Sequence, residues 1–77
     1  MAPLPVVSGR DLVRTFASLG WRIARQSGSH IIMVKEGHVA TLSIPDHKEV
    51  ARGTLRSLVR AAEVTSGEFL KVLKDLG

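Results

Sequence analysis

The chain contains no cysteine. A disulfide framework, a thiolate zinc site and a thiol nucleophile are therefore excluded, and the absence fits a reducing, cytoplasmic setting. Aromatic residues are scarce as well: Phe16, Trp21 and Phe69 are the full set. Phe16 and Phe69 fall on apolar faces of helical repeats, which disfavours a base-stacking platform of exposed rings on strands. Long apolar runs are missing, the longest being far short of the roughly 20 residues that cross a bilayer. The opening MAPLPVVSGR has neither a basic leader nor an apolar signal core, so secretion and membrane insertion are not expected. No glycine-rich phosphate loop, Ser-His-Asp arrangement or paired carboxylates occur. The three histidines lack metal-ligand spacing, and neither a metal nor a cofactor is expected.

What remains is a short, basic, globular composition. The 77 residues are 44% hydrophobic and 23% charged, which suits one small folded domain near the size at which cores become marginal. Eleven Lys and Arg against seven Asp and Glu give a net charge of +4, the electrostatic footprint of a polyanion binder.

Periodicity divides the chain into six elements. Ser8 and Asp11 resemble a capping box, and Leu12, Val13, Phe16 and Leu19 then recur at helical spacing, predicting a first helix over 9–19. From residue 21 the period becomes two. Trp21, Ile23 and Arg25 alternate with Arg22, Ala24 and Gln26, and Ala40, Leu42 and Ile44 alternate with Val39, Thr41 and Ser43, so these read as strands one and three. Between them lies a strand over 30–35, bounded by Gly28-Ser29 and Glu36-Gly37 as hairpin turns. Pro45 ends the sheet and 46–52 form a loop. A second helix starts near Gly53 or Thr54 with Leu55, Leu58, Val59 and Ala62 on its apolar face. A third follows the Thr65-x-x-Glu68 box and carries Phe69, Leu70, Leu73 and Leu76. The expected fold is α+β: a three-stranded antiparallel sheet with helices on one face, in the order α-β-β-β-α plus a C-terminal helix. Residues 1–7 are expected to form a flexible extension of this single domain.

His30 stands at the mouth of strand two, just after the turn. If Ile31 and Met33 face the helices, it points to the open face; the opposite register puts it at the rim of the core. Its default description is a solvated or backbone-bonded strand-end residue. The functional alternative rests on chemistry: a free imidazole titrates near pH ~6.5 and both takes and returns protons, while RNA supplies its own nucleophile in the 2′-hydroxyl. Cations are at hand. Arg52, Arg56 and Arg60 recur every four residues along helix two, and Arg22, Arg25 and Lys48 lie elsewhere. A stem covering apolar surface is the commoner reason for any one of these arginines, but three in register, with Arg22, Arg25 and Lys48, tilt the reading toward phosphate contacts. His47 reads as a loop histidine or a second acid or base, and His38 as a solvated hairpin-tip residue.

The stretches SGRDLVRTFASLGWRIARQSGSHIIM and IPDHKEVARGTLRSLVRAAEVTSGEFLKVL resemble the HicA (YcfA-like) toxins of type II toxin–antitoxin systems over about 8–73. The resemblance is carried by Leu19-Gly20-Trp21, Gly28-Ser29-His30, Ile44-Pro45-x-His47 and Gly53-Thr54-Leu55-Arg56. It implies a fold like that of double-stranded RNA-binding domains, an endoribonuclease activity on mRNA that arrests translation, and a HicB-type antitoxin that masks the site. His30 matches the family's catalytic histidine. Members often carry an aromatic where Met33 stands, an exchange that bears on how RNA is gripped.

The resulting expectation is metal-independent RNA cleavage with His30 as general acid or base. The candidate RNA contacts are Arg25, Ser29, His47, Lys48, Arg52, Arg56 and Arg60. A non-catalytic double-stranded RNA-binding module and a protein-interaction module are the alternatives.

Overall fold

The computed structural model describes residues 4–76. Helix α1 (Gly9–Ser18) starts where Ser8 Oγ accepts the Asp11 N–H at 3.0 Å, satisfying a donor that a helix N-terminus leaves unpaired. It ends in a Schellman motif that explains the Leu19-Gly20-Trp21 segment. Gly20, at φ +99°, donates to the Ala17 carbonyl at 3.1 Å, and Trp21 donates to the Phe16 carbonyl at 2.9 Å. Lys35 Nζ, 3.0 Å from the Leu19 carbonyl, adds a cation at the same helix end. The reversal sinks Trp21 into the core and starts the sheet.

Strands β1 (Arg22–Ser27), β2 (His30–Val34) and β3 (Leu42–Pro45) form an antiparallel sheet in the order β1-β2-β3. Ile31 and Met33 of β2 and Leu42 and Ile44 of β3 are buried, while Ile32 and Val34 are half-buried and Ser43 is exposed. One parity therefore seals against the helices and the other faces outward. Helix α1 packs on β1 and β3, α2 (Arg52–Ala61) packs on β3, and α3 (Ser66–Leu76) packs on α1, where the Phe16 and Phe69 rings lie 5.5 Å apart. The Thr65–Glu68 capping box forms in both directions. Thr65 Oγ1 accepts the Glu68 N–H at 3.0 Å, and Glu68 Oε1 accepts the Thr65 N–H at 3.1 Å. This is the α+β order expected from periodicity, with the added C-terminal helix.

Several details differ from the sequence reading. β3 begins at Leu42, not near Val39, which is fully exposed in the connection from β2. Pro45, paired with His30, ends the sheet as expected, and does so as the last residue of β3 itself. Helix α2 begins at Arg52, one or two residues before the expected Gly53 or Thr54, with no side-chain cap at Ala51. The part of the expected N-terminal extension that is described does not hang free. Leu4 and Val7 are buried, and Val7 bridges Val50, whose N–H it accepts at 2.8 Å; residues 1–3 lie outside the described residues. His38 is not a solvated tip. Its ring stands edge-on to Trp21 at 5.2 Å, and its Nε2 lies 3.5 Å from Glu63 Oε1. Met33 is wholly buried beneath the sheet, so its exchange for an aromatic is a matter of packing and not of RNA grip.

Gly9 joins the helix layer to the end of β3. Its N–H donates to the His47 carbonyl at 2.9 Å, and a Cβ at this position would press into the Pro45 carbonyl oxygen well inside van der Waals contact. Replacement by Ala improves helix propensity by up to ~1 kcal/mol, yet the obstacle is backbone, which cannot rotate away. Gly9→Ala is expected to cost about 1–3 kcal/mol net and to lower the melting temperature. A variant melting at or above wild type would show that α1 and β3 are not in the contact described.

Candidate functional site

The β1–β2 connection sets the position of His30. Ser27 pairs with His30, leaving Gly28 and Ser29 as a two-residue loop. Gly28 has φ +60° and Ser29 is not among the positive-φ residues, the sign pattern of a type II′ turn with glycine at its first central position. The Asp46 N–H donates to the Ser29 carbonyl at 2.7 Å, which carries the β2–β3 ladder past its end. The chain leaving β3 through Asp46 and His47 thus runs beside the turn that delivers His30.

Because Ile31 and Met33 face inward, His30 faces outward, and it is exposed. Its ring makes no hydrogen bond or ion pair with another described residue, so both nitrogens are open to a ligand. Cross-strand pairing fixes what shares its face. The outward rows are Arg22 opposite Val34, then Arg25 opposite Ile32 and Ser43, then Ser27 opposite His30, whose β3 partner Pro45 is buried at the sheet's end. No acidic residue stands in these rows. Arg22 and Arg25 are three apart, an odd spacing that simple alternation would send to opposite faces. They share one because the register shifts between Ile23 and Arg25, leaving Ala24 without a partner in a β-bulge. The inward side agrees: Ile23, Gln26 and Ile31 line a hollow with Val13 of α1, and neither Arg22 nor Arg25 lines it.

The other candidates are distributed differently. Ser29, His47 and Lys48 are exposed on the turn and on the segment after β3, next to His30 in the chain path. Arg52, Arg56 and Arg60 are exposed along α2, which packs on the opposite side of the sheet. Arg56 and Arg60 line a hollow with Val59, Val64, Thr65 and Ser66, and no strand residue contributes to it. The structure therefore groups His30 with Arg25, Ser29 and the exit segment, and sets the helical stripe apart. Arg22, counted among the available cations but not among the expected RNA contacts, joins Arg25 on this face through the bulge, which nothing in Ile23-Ala24-Arg25 announces. Among the described residues no group of three or more His, Asp or Glu comes together as a metal site, and no helix is long and apolar enough to cross a membrane.

An α-β-β-β-α-α domain whose sheet keeps an open, basic face around one histidine is the class that this geometry defines. The family model described as the HicA toxin of bacterial toxin–antitoxin systems matches residues 9–64, and the chain belongs to that family. Membership makes it the toxin half of such a pair and implies an antitoxin partner. No curated protein matches the chain.

The turn geometry can be tested directly. Space around Gly28 is open, so Gly28→Ala is strained only by its positive φ and should cost about 1–2 kcal/mol. Gly28→Asn, a residue that tolerates such turns, should recover part of that loss. Equal melting of all three proteins would remove the type II′ turn as the element that sets His30.

Proposed function

We propose that this toxin is an endoribonuclease that cuts mRNA and so arrests translation in the cytoplasm, with His30 as its general acid or base and no requirement for a metal. The observation that carries the reading is an exposed, unpaired His30 on the open sheet face in company with arginines on the same face. In the reaction, the 2′-oxygen of the substrate bonds to the adjacent phosphorus as the P–O5′ bond breaks, giving a cyclic phosphate and a free 5′-hydroxyl. The 2′-hydroxyl gives up a proton and the 5′-oxygen takes one. His30 serves one of these transfers, and His47, on the segment beside the Ser29 turn, is the nearest candidate in the chain path for the other. Arginine charge offsets the negative charge that builds on the phosphoryl oxygens. A HicB-type antitoxin silences the enzyme by covering this face.

Cleavage of a mixed-sequence single-stranded RNA in the presence of a chelator tests the proposal. His30→Ala is expected to lower the rate by at least about 100-fold. Its melting should stay within about 0.5 kcal/mol of wild type, because the residue is exposed. Equal cleavage by the variant would move the chemistry away from His30. Binding without cleavage by either protein would favour a non-catalytic RNA-binding module.

A further inference from the structure

We infer that the β-bulge at Ala24 builds a phosphate track on the open sheet face: Arg22 and Arg25 grip successive phosphates of one single-stranded RNA chain and lead it to His30. This rests on the ribonuclease reading and specifies how the substrate lies and which cations hold it. Arg22, Arg25 and Ser27 occupy three successive outward rows of β1, the last opposite His30. Rows on one face are two residues, or about 7 Å, apart, a step of the order of that between neighbouring phosphates in an extended strand. Cation, cation and imidazole thus line up along a single strand direction, which suits one nucleic acid chain laid on the sheet. A double helix is instead read across its grooves from well-separated elements.

Two further observations bear on this pair, the first of which separates it from the arginines of α1. Neither Arg22 nor Arg25 has a side-chain partner among the described residues, whereas Arg10 lies 3.6 Å from Asp46 Oδ1 and Arg14 donates to the Leu76 carbonyl at 3.4 Å. Half-buried Ile32 and Val34 stand on β2 opposite the two arginines and form an apolar floor beside them, a surface on which sugars and bases can rest without aromatic rings. Without the bulge's odd step, the same sequence would send one arginine inward, toward the hollow under α1.

The decisive comparison, wild type against an arginine swap, keeps total charge constant. A non-cleavable single-stranded RNA carrying 2′-O-methyl groups is titrated at several salt concentrations against wild type, Arg22→Gln, Arg25→Gln, Arg14→Gln and the swap Arg25→Gln with Gln26→Arg, which moves the guanidinium to the inward face. Arg22→Gln and Arg25→Gln should each weaken binding several-fold and reduce the slope of log affinity against log salt by about 0.7. The swap should match Arg25→Gln, and Arg14→Gln should match wild type. Tight binding by wild type with the swap also at wild-type affinity would overturn the track and leave only net charge, with the ribonuclease reading intact. Failure of wild type to bind or cut single-stranded RNA would overturn both.

Discussion

Burial of one side of β2 governs the rest of the molecule. Ile31 and Met33, together with Leu42 and Ile44 of β3, close against Phe16, Leu55 and their neighbours, and this inward commitment forces the residues of opposite parity outward. In a domain this small the sealed face is most of the available core, so a one-residue slip would forfeit its stability. His30 is exposed for that reason and not through any local preference of its own. The turn at Gly28-Ser29 and the Asp46–Ser29 hydrogen bond then hold its backbone from both sides.

The bulge acts on the same principle with the opposite effect. A strand bound by strict alternation could show only one of Arg22 and Arg25 to the outside; the unpaired Ala24 resets the parity midway. β1 can afford this because it is an edge strand whose six residues are all exposed, with little packing to lose. The result is an outward face with two unpaired guanidinium groups and one unpaired imidazole and no carboxylate in its rows, while the helices take up the apolar surface.

Much of this was legible in the sequence. The caps at Ser8 and Thr65, the Gly20 and Gly28 reversals, and the apolar faces of α1 and α2 announce themselves through short-range chemistry that tertiary contacts do not override. The features that escaped depend on contacts between distant residues. Leu4 and Val7 look like a loose proline-flanked tail until Val50 pairs with Val7. His38 looks like a turn residue until Trp21 and Glu63 meet it. The arginine stripe on α2 drew attention because its spacing is regular, but regular spacing on a helix says nothing about which side of the sheet that helix covers.

The central claim is that RNA lies on the outward sheet face, and nuclear magnetic resonance locates the contact without relying on substitution. With isotopically labelled protein and the same 2′-O-methyl RNA, the account requires the largest shift changes in the amides of Arg22, Arg25, His30, Ile32 and Ser43, with Ile23 and Gln26 changing less. Changes concentrated instead on Arg56, Arg60 and the start of α3 would contradict it and return the interface to the helical stripe.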